Sequence, residues 1–209
     1  MHEYPDDAIC RPEDFQFSDE YPVNGNHIAC IRTLKKYTGS DRVILIPQGV
    51  DYIDAGAFSG QPLWEVYLPK GLKSIGPSAF KGCHLLRKIS LPDGLPSIPP
   101  QAFDGCHNLE EIDIPGSVQI IGQKAFWFCL NLQHVKLREG VRKIDSQAFG
   151  FCNRLSVIEI PDSLAEIHPN AIHCSEKIQV IASEAWKKAH PDLLKRFYYI
   201  HGSWDSGRP

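Results

Sequence analysis

The pair Ala-Phe returns along the chain at a fixed interval: Ala57-Phe58, Ala79-Phe80, Ala102-Phe103, Ala125-Phe126 and Ala148-Phe149, with Ala171-Ile172 in the same register. The first step is 22 residues and the next four are 23. In the middle units a cysteine stands four residues after the alanine (Cys83, Cys106, Cys129, Cys152), and a leucine three residues beyond it (Leu86, Leu109, Leu132, Leu155). Self-similarity at such a period means that each unit is one small supersecondary module.

The rest of each unit reads apolar-x-apolar and then usually proline: Ile44-Leu45-Ile46-Pro47, Val66-Tyr67-Leu68-Pro69, Ile89-Ser90-Leu91-Pro92, Ile112-Asp113-Ile114-Pro115, Val135-Lys136-Leu137 and Ile158-Glu159-Ile160-Pro161. Alternation with β-branched residues predicts a short strand that proline ends. A second apolar pair follows at a spacing of three: Val50 and Ile53, Leu72 and Ile75, Leu95 and Ile98, Val118 and Ile121, Val141 and Ile144, Leu164 and Ile167. Before the cysteine lie stretches such as Gly76-Pro77-Ser78-Ala79-Phe80-Lys81-Gly82, where one short helical or 3₁₀ turn is expected.

A module this small cannot bury its own apolar face, so neighbours must stack. Stacking at the strand spacing of about 4.8 Å makes a parallel ribbon roughly 25 Å long, with ladders of Phe, Leu, Ile and Cys inside. The solenoid is expected over residues 41–182, an N-terminal cap over 1–40 and a C-terminal helical cap and tail over 183–209. In the first cap, Phe15, Phe17, Ile28, Ile31 and Leu34 with a turn at Asn24-Gly25-Asn26 suggest a hairpin; a short helix from Ile28 to Tyr37 is the alternative. In the last, Ser183 is placed to cap a helix through Ala189 and Pro191 to open another through about Tyr199.

The composite unit Leu-Pro-x-Gly-Leu-x-x-Ile-Gly-x-x-Ala-Phe-x-Gly-Cys-x-x-Leu-x-x-Ile, seen nearly whole from Leu68 to Ser90, resembles the BspA-type leucine-rich repeat, also called the Treponema-type repeat. The resemblance covers residues 41–182. It implies an α/β repeat solenoid, a right-handed leucine-rich-repeat coil of about six 23-residue repeats. It also implies a family that is commonly bacterial, often on cell surfaces and associated with adhesion or protein recognition. The start of the chain, Met1-His2-Glu3-Tyr4-Pro5-Asp6-Asp7, lacks the regions of a signal peptide. A cytoplasmic location is therefore the expectation, with cell surface or secreted the alternative if the N-terminus is truncated.

Several chemistries are disfavoured. A net charge of −3 supplies no basic field, so nucleic acid is not an expected partner. No apolar run approaches a membrane-spanning length, so no membrane insertion is expected. Seven cysteines cannot all pair internally, and their placement follows the packing period, which suits a reducing compartment. Cys83-His84 and Cys106-His107 recur one coil apart, yet adjacent residues of an extended chain point to opposite sides, and zinc-type Cys spacings are absent. No metal, cofactor or catalytic residue is assigned, and the protein is not expected to be an enzyme: Gly-x-Ser-x-Gly, Gly-x-x-x-x-Gly-Lys and His-Glu-x-x-His are absent.

The outward face of the strand ribbon remains. By alternation it presents Val43 and Leu45, Glu65 and Tyr67, Lys88 and Ser90, Glu111 and Asp113, His134 and Lys136, Val157 and Glu159. In a leucine-rich solenoid this face is usually concave and binds partners. The candidate partner-binding residues are Val43, Leu45, Glu65, Tyr67, Lys88, Glu111, Asp113, His134, Lys136 and Glu159. The expected function is a non-catalytic module for a protein partner. The alternative is a bacterial adhesin-like protein that binds host matrix protein or glycan.

Overall fold

The computed structural model describes residues 11–20, 23–24, 27–28, 30–173 and 178–198. The Gly25-Asn26 turn residues, the side chain of Tyr198 and the tail from Gly202 lie outside them. The chain winds as a parallel β-solenoid. One ribbon comprises Val43–Leu45, Glu65–Tyr67 and Lys88–Ser90, then Glu111–Ile114, His134–Leu137, Val157–Glu159 and Gln179–Ile181. Pairing is parallel and in repeat register, as in Val43 with Glu65 with Lys88 and Glu111 with His134 with Val157. A second ribbon of two-residue strands comprises Tyr52–Ile53 and Ser74–Ile75, then Ser97–Ile98, Ile120–Ile121, Lys143–Ile144 and Glu166–Ile167.

The core consists of the ladders that the period demands. Phe58, Phe80, Phe103, Phe126 and Phe149 are fully buried. Successive rings stack at 4.9, 5.4, 5.2 and 5.3 Å, nearly parallel. Cys83, Cys106, Cys129 and Cys152 are buried as free thiols, and each S–H donates to the carbonyl of a Phe on the preceding coil, at 3.1 to 3.3 Å. A methyl group would fill that space but donate nothing, whereas a thiol is small, apolar and a weak donor. Burial pushes the Cys83 thiol up to about 12 and raises Cys106 and Cys129 well above the ordinary value.

Where one helical turn is expected, the chain makes successive three-residue-spaced turns without a helix. Ala79 N–H donates to Gly76, Lys81 to Ser78 and Cys83 to Phe80. Left-handed residues interrupt them, at Ser78 (φ 57°) and Gly82 (φ 71°) in this coil, so helical winding cannot propagate. The Gly82 position is also glycine at Gly60 and Gly105, but becomes Phe128 and Phe151 in the next two coils, still at φ 56° and 57°. Those two rings stack at 4.8 Å beside Trp127, whose ring lies against Gly150 where a Cβ would collide with it.

At the N-terminal end Phe15–Glu20 pairs antiparallel with Ile31–Tyr37, so the strand alternative to a helix over Ile28 to Tyr37 is the one adopted. This strand joins the second ribbon through Thr33 and Leu34. Tyr37 takes the first rung of the aromatic ladder, 5.6 Å from Phe58, with Phe15 5.2 Å behind it. At the other end helices Glu184–Ala189 and Pro191–Tyr198 close the stack. Ser183 Oγ accepts from Trp186 N–H at the first N-terminus, and buried Trp186 donates Nε1–H to Leu164 O at 2.8 Å, seating the helix on the last coil.

One junction departs from the regular pattern. No strand bridge joins Lys88–Ser90 to Glu111–Ile114, nor Ser74–Ile75 to Ser97–Ile98, so both ribbons are interrupted between the same two coils. In the second ribbon the cause is chemical. Lys73 N–H donates to Asp51 O, and Gln119 N–H to Pro96 O, but Pro96 itself has no N–H to give to Lys73. Pro99 likewise stands where Gly76 and Gly122 donate to Ile53 and Ile98. The turn side stays continuous across the junction through Ser78 to Pro100, Phe80 to Ala102 and Gly82 to Asp104.

Candidate functional site

Alternation in the first ribbon buries Ile44, Val66, Ile89, Ile112, Val135 and Ile158. Their neighbours therefore point out. Val43, Leu45, Glu65, Tyr67, His134 and Glu159 are half-buried, and Lys88, Glu111, Asp113 and Lys136 are exposed. All ten predicted residues thus lie on the outward side of the first ribbon.

That surface has two unlike parts. The interrupted junction opens into a groove of about 510 Å³, lined by Lys88, Ser90, Glu111, Asp113, His134 and Lys136 among others. Alternation also carries Arg138 to its rim. The sequence held a signal for Arg138: the other strand ends carry Pro47, Pro69, Pro92, Pro115 and Pro161, whereas this one continues, and Arg138 N–H extends the ladder to Ile114 O.

Charges around the groove are mostly spent on one another. Arg138 donates from Nε and Nη2 to the two carboxylate oxygens of Asp113, at 2.8 and 2.6 Å. His134 Nε2 meets Glu159 at 2.7 Å and Lys136 Nζ meets the same carboxylate at 3.6 Å. The hydrogen bond from Arg138 is the main reason that the Asp113 carboxyl sits below its usual value. A carboxylate held down by a guanidinium is a weak base, and the side chains of Asp113 and His134 remain 46% and 41% exposed. The groove therefore presents charges that are held by one another and remain partly exposed to water.

The part formed by the first two strands is apolar and aromatic. Tyr67 Oη donates to Glu65 at 2.6 Å, which fixes the ring between Leu45 on one side and Ser90 on the other along the ladder. Val43 and Leu45 extend this patch by one coil.

The histidine and cysteine pairs separate as chain alternation requires. Cys83 and Cys106 are inside, whereas His84 is exposed and stacks on His107 at 4.4 Å, with His84 Nδ1 2.9 Å from Gly105 O. Among the described residues, no three His, Cys, Asp or Glu side chains come together as a metal site, and no helix is long and apolar enough to cross a membrane.

Residues 43–185 match the model of the BspA type leucine rich repeat region in six copies. The fold is similar to that of a Treponema pallidum leucine rich repeat protein: 26% identity, 88% of this chain, 95% of that one and a TM-score of 0.66. A leucine rich cell surface protein of Faecalibacterium prausnitzii is 25% identical over 82% of this chain and 50% of its own, with a TM-score of 0.59. The pneumococcal vaccine antigen PcpA shares the fold at 21% identity, over 77% of this chain and 41% of that one, with a TM-score of 0.66. The chain thus spans nearly all of the first neighbour and half or less of the other two. No curated protein is significantly similar to it.

Proposed function

The chain belongs to the BspA type leucine rich repeat family, and on that premise we propose that it is a non-catalytic protein-interaction module whose partner docks on the outward, concave face of the first ribbon. Such solenoids are a common interaction scaffold. The observation that carries the reading is the juxtaposition on one ribbon of an apolar patch (Val43, Leu45, Tyr67) and a charged groove (Lys88, Glu111, Asp113, His134, Lys136, Glu159). Aromatic and aliphatic anchors supply affinity, while flanking charges set orientation and association rate.

The test is a pull-down from native lysate followed by titration of the captured protein. Tyr67→Ala is expected to weaken binding by about 2 kcal/mol or more, roughly 30-fold, in a protein that still melts as wild type. Unchanged affinity in a folded Tyr67→Ala, Glu111→Ala double variant would move the site off this face. A second reading, an adhesin-like protein that uses the same face on host matrix protein or glycan, is supported by the Faecalibacterium neighbour, which is described as a cell surface protein. Surface labelling of intact cells separates the two.

A further inference from the structure

Immediately before each strand of the first ribbon stands another ladder, Arg42, Trp64, Arg87, Glu110, Gln133 and Ser156. Backbone hydrogen bonds from Trp64 to Arg42 (2.6 Å) and from Arg87 to Trp64 (2.8 Å) hold its first three members one above another. Their side chains stack in the same order. The Arg42 guanidinium lies 4.9 Å from the Trp64 ring centroid and that of Arg87 5.5 Å from it, so one indole serves two cations. Trp64 is nonetheless 40% exposed, and both arginines are exposed.

These two arginines combine stacking on an indole with donors that no carboxylate occupies among the described residues. Arg138 and Arg32 each grip a carboxylate with two nitrogens, Asp113 and Asp19 respectively. Among the described residues neither Arg42 nor Arg87 makes an ion pair or a side-chain hydrogen bond. A guanidinium that stacks through its face keeps its in-plane N–H donors available for a carboxylate. The nearest carboxylates in sequence are already engaged: Asp41 lies 3.9 Å from Arg11, and Glu65 accepts from Tyr67. Lys88, next to Arg87, is exposed and makes no ion pair among the described residues either. Three cations that make no ion pair among the described residues therefore border the Tyr67 patch in the first three coils, against the single carboxylate of Glu65 in those strands, on a chain whose net charge is −3.

We infer that the Arg42–Trp64–Arg87 stack is a docking edge for an acidic, extended segment of the partner protein. The inference rests on the reading of the first ribbon as a protein-binding face and supplies the chemistry of what binds there. Arg42 and Arg87 are two coils apart, roughly 10 Å at the strand spacing, and an extended peptide covers that distance in about three residues. Two Asp or Glu residues at i and i+2 point to the same face of an extended segment, roughly 7 Å apart, and the long arginine side chains close the remaining distance to both forks. The footprint is too short for a long polyanion, which would meet the paired and acidic surface of the later coils.

Panning a random dodecapeptide phage library on the immobilised protein tests this. Selected peptides should be enriched in acidic pairs two residues apart. Their binding should fall at least tenfold in Arg42→Ala, Arg87→Ala and also in Arg42→Lys, Arg87→Lys, since an ammonium keeps the charge but not the fork. It should weaken several-fold between 50 and 300 mM salt, as exposed charge pairs do, on the order of the change in screening length. Peptides that depend on Tyr67 but not on the arginines overturn the acidic edge and leave the ribbon face standing. Peptides indifferent to Tyr67 and to both arginines overturn both readings. A labelled heparin oligosaccharide or dT12 that binds the arginines more tightly than any selected peptide overturns the choice of a protein segment, as does a library that yields no arginine-dependent binder.

Discussion

Phe103 is the middle rung of the aromatic ladder, fully buried between Phe80 at 5.4 Å and Phe126 at 5.2 Å. An aromatic side chain removes about 150–250 Å² from water, worth about 4–6 kcal/mol at ~25 cal/mol/Å² as an upper bound. Alanine keeps a little of that, and the loss of two ring contacts adds roughly 0.5–1.5 kcal/mol each. The following coil is pinned by both strand ladders and the preceding one by the turn-side hydrogen bonds of Ser78, Phe80 and Gly82, which hold the two flanking rings in place, so the cavity persists. Phe103→Ala is therefore expected to cost about 4 kcal/mol, inside the usual range for buried Phe→Ala. That is a large share of the roughly 5–15 kcal/mol that holds a domain folded. The assay is urea denaturation followed by far-ultraviolet circular dichroism, with Phe103→Leu as a graded variant expected to cost under about 1.5 kcal/mol. Phe128→Gly is the control. Phe128 is 38% exposed at φ 56°, so relief of about 1–2 kcal/mol of left-handed strain offsets its lost stacking on Phe151 and the added chain entropy of glycine. It should stay within about 1 kcal/mol of wild type. A Phe103→Ala cost under about 1 kcal/mol, or one no larger than that of Phe128→Gly, would refute the stacked-core argument.

Two further outcomes follow from titrating groups. Because burial raises the thiols of Cys83, Cys106 and Cys129, iodoacetamide at pH 8 should leave them unmodified in the native protein and label them after denaturation; mass spectrometry that finds native labelling contradicts this. Desolvation, and secondarily the neighbouring His84, lowers the pKa of His107 in the fold. The unfolded chain then binds the extra proton first, so this stability is present above pH of about 6.5 and is lost as pH falls through the folded value. His107→Gln should flatten that part of the stability profile between pH 7.5 and 5, and an unchanged slope would rule the histidine out as its cause.

The inward ladders were legible because burial admits few residue types and the period repeats the choice. Tyr37 escaped notice because Lys36, not alanine, precedes it and no cysteine follows in register. Outward positions were also legible, through alternation alone. How their charges are spent was not, because Arg138 with Asp113 and His134 with Glu159 join residues 25 apart, one coil over and two strand positions along, where rotamers decide the outcome. Arg42 and Arg87 are hidden for a related reason: alternation identifies only the residues that flank the first apolar position of each strand, and the cross-coil stacking lies one residue before them. Pro96 and Pro99 read as turn residues along the chain; only when aligned with Lys73, Gln119, Gly76 and Gly122 do they emerge as missing donors between coils.

Those two prolines bear on how the molecule comes apart. In an array coupled only through nearest neighbours, cooperativity is set by the weakest link, and here one link has lost both strand ladders and retains the turn-side hydrogen bonds and the Phe80–Phe103 rung. The three coils before it and those after it are therefore two melting blocks joined by a seam. The groove lies across that seam, with Lys88 and Ser90 on one bank and Glu111 and Asp113 on the other. A partner that grips both banks acts as a splint: its binding free energy is added to the link that has least of its own, and two blocks that part separately when bare melt together when bound.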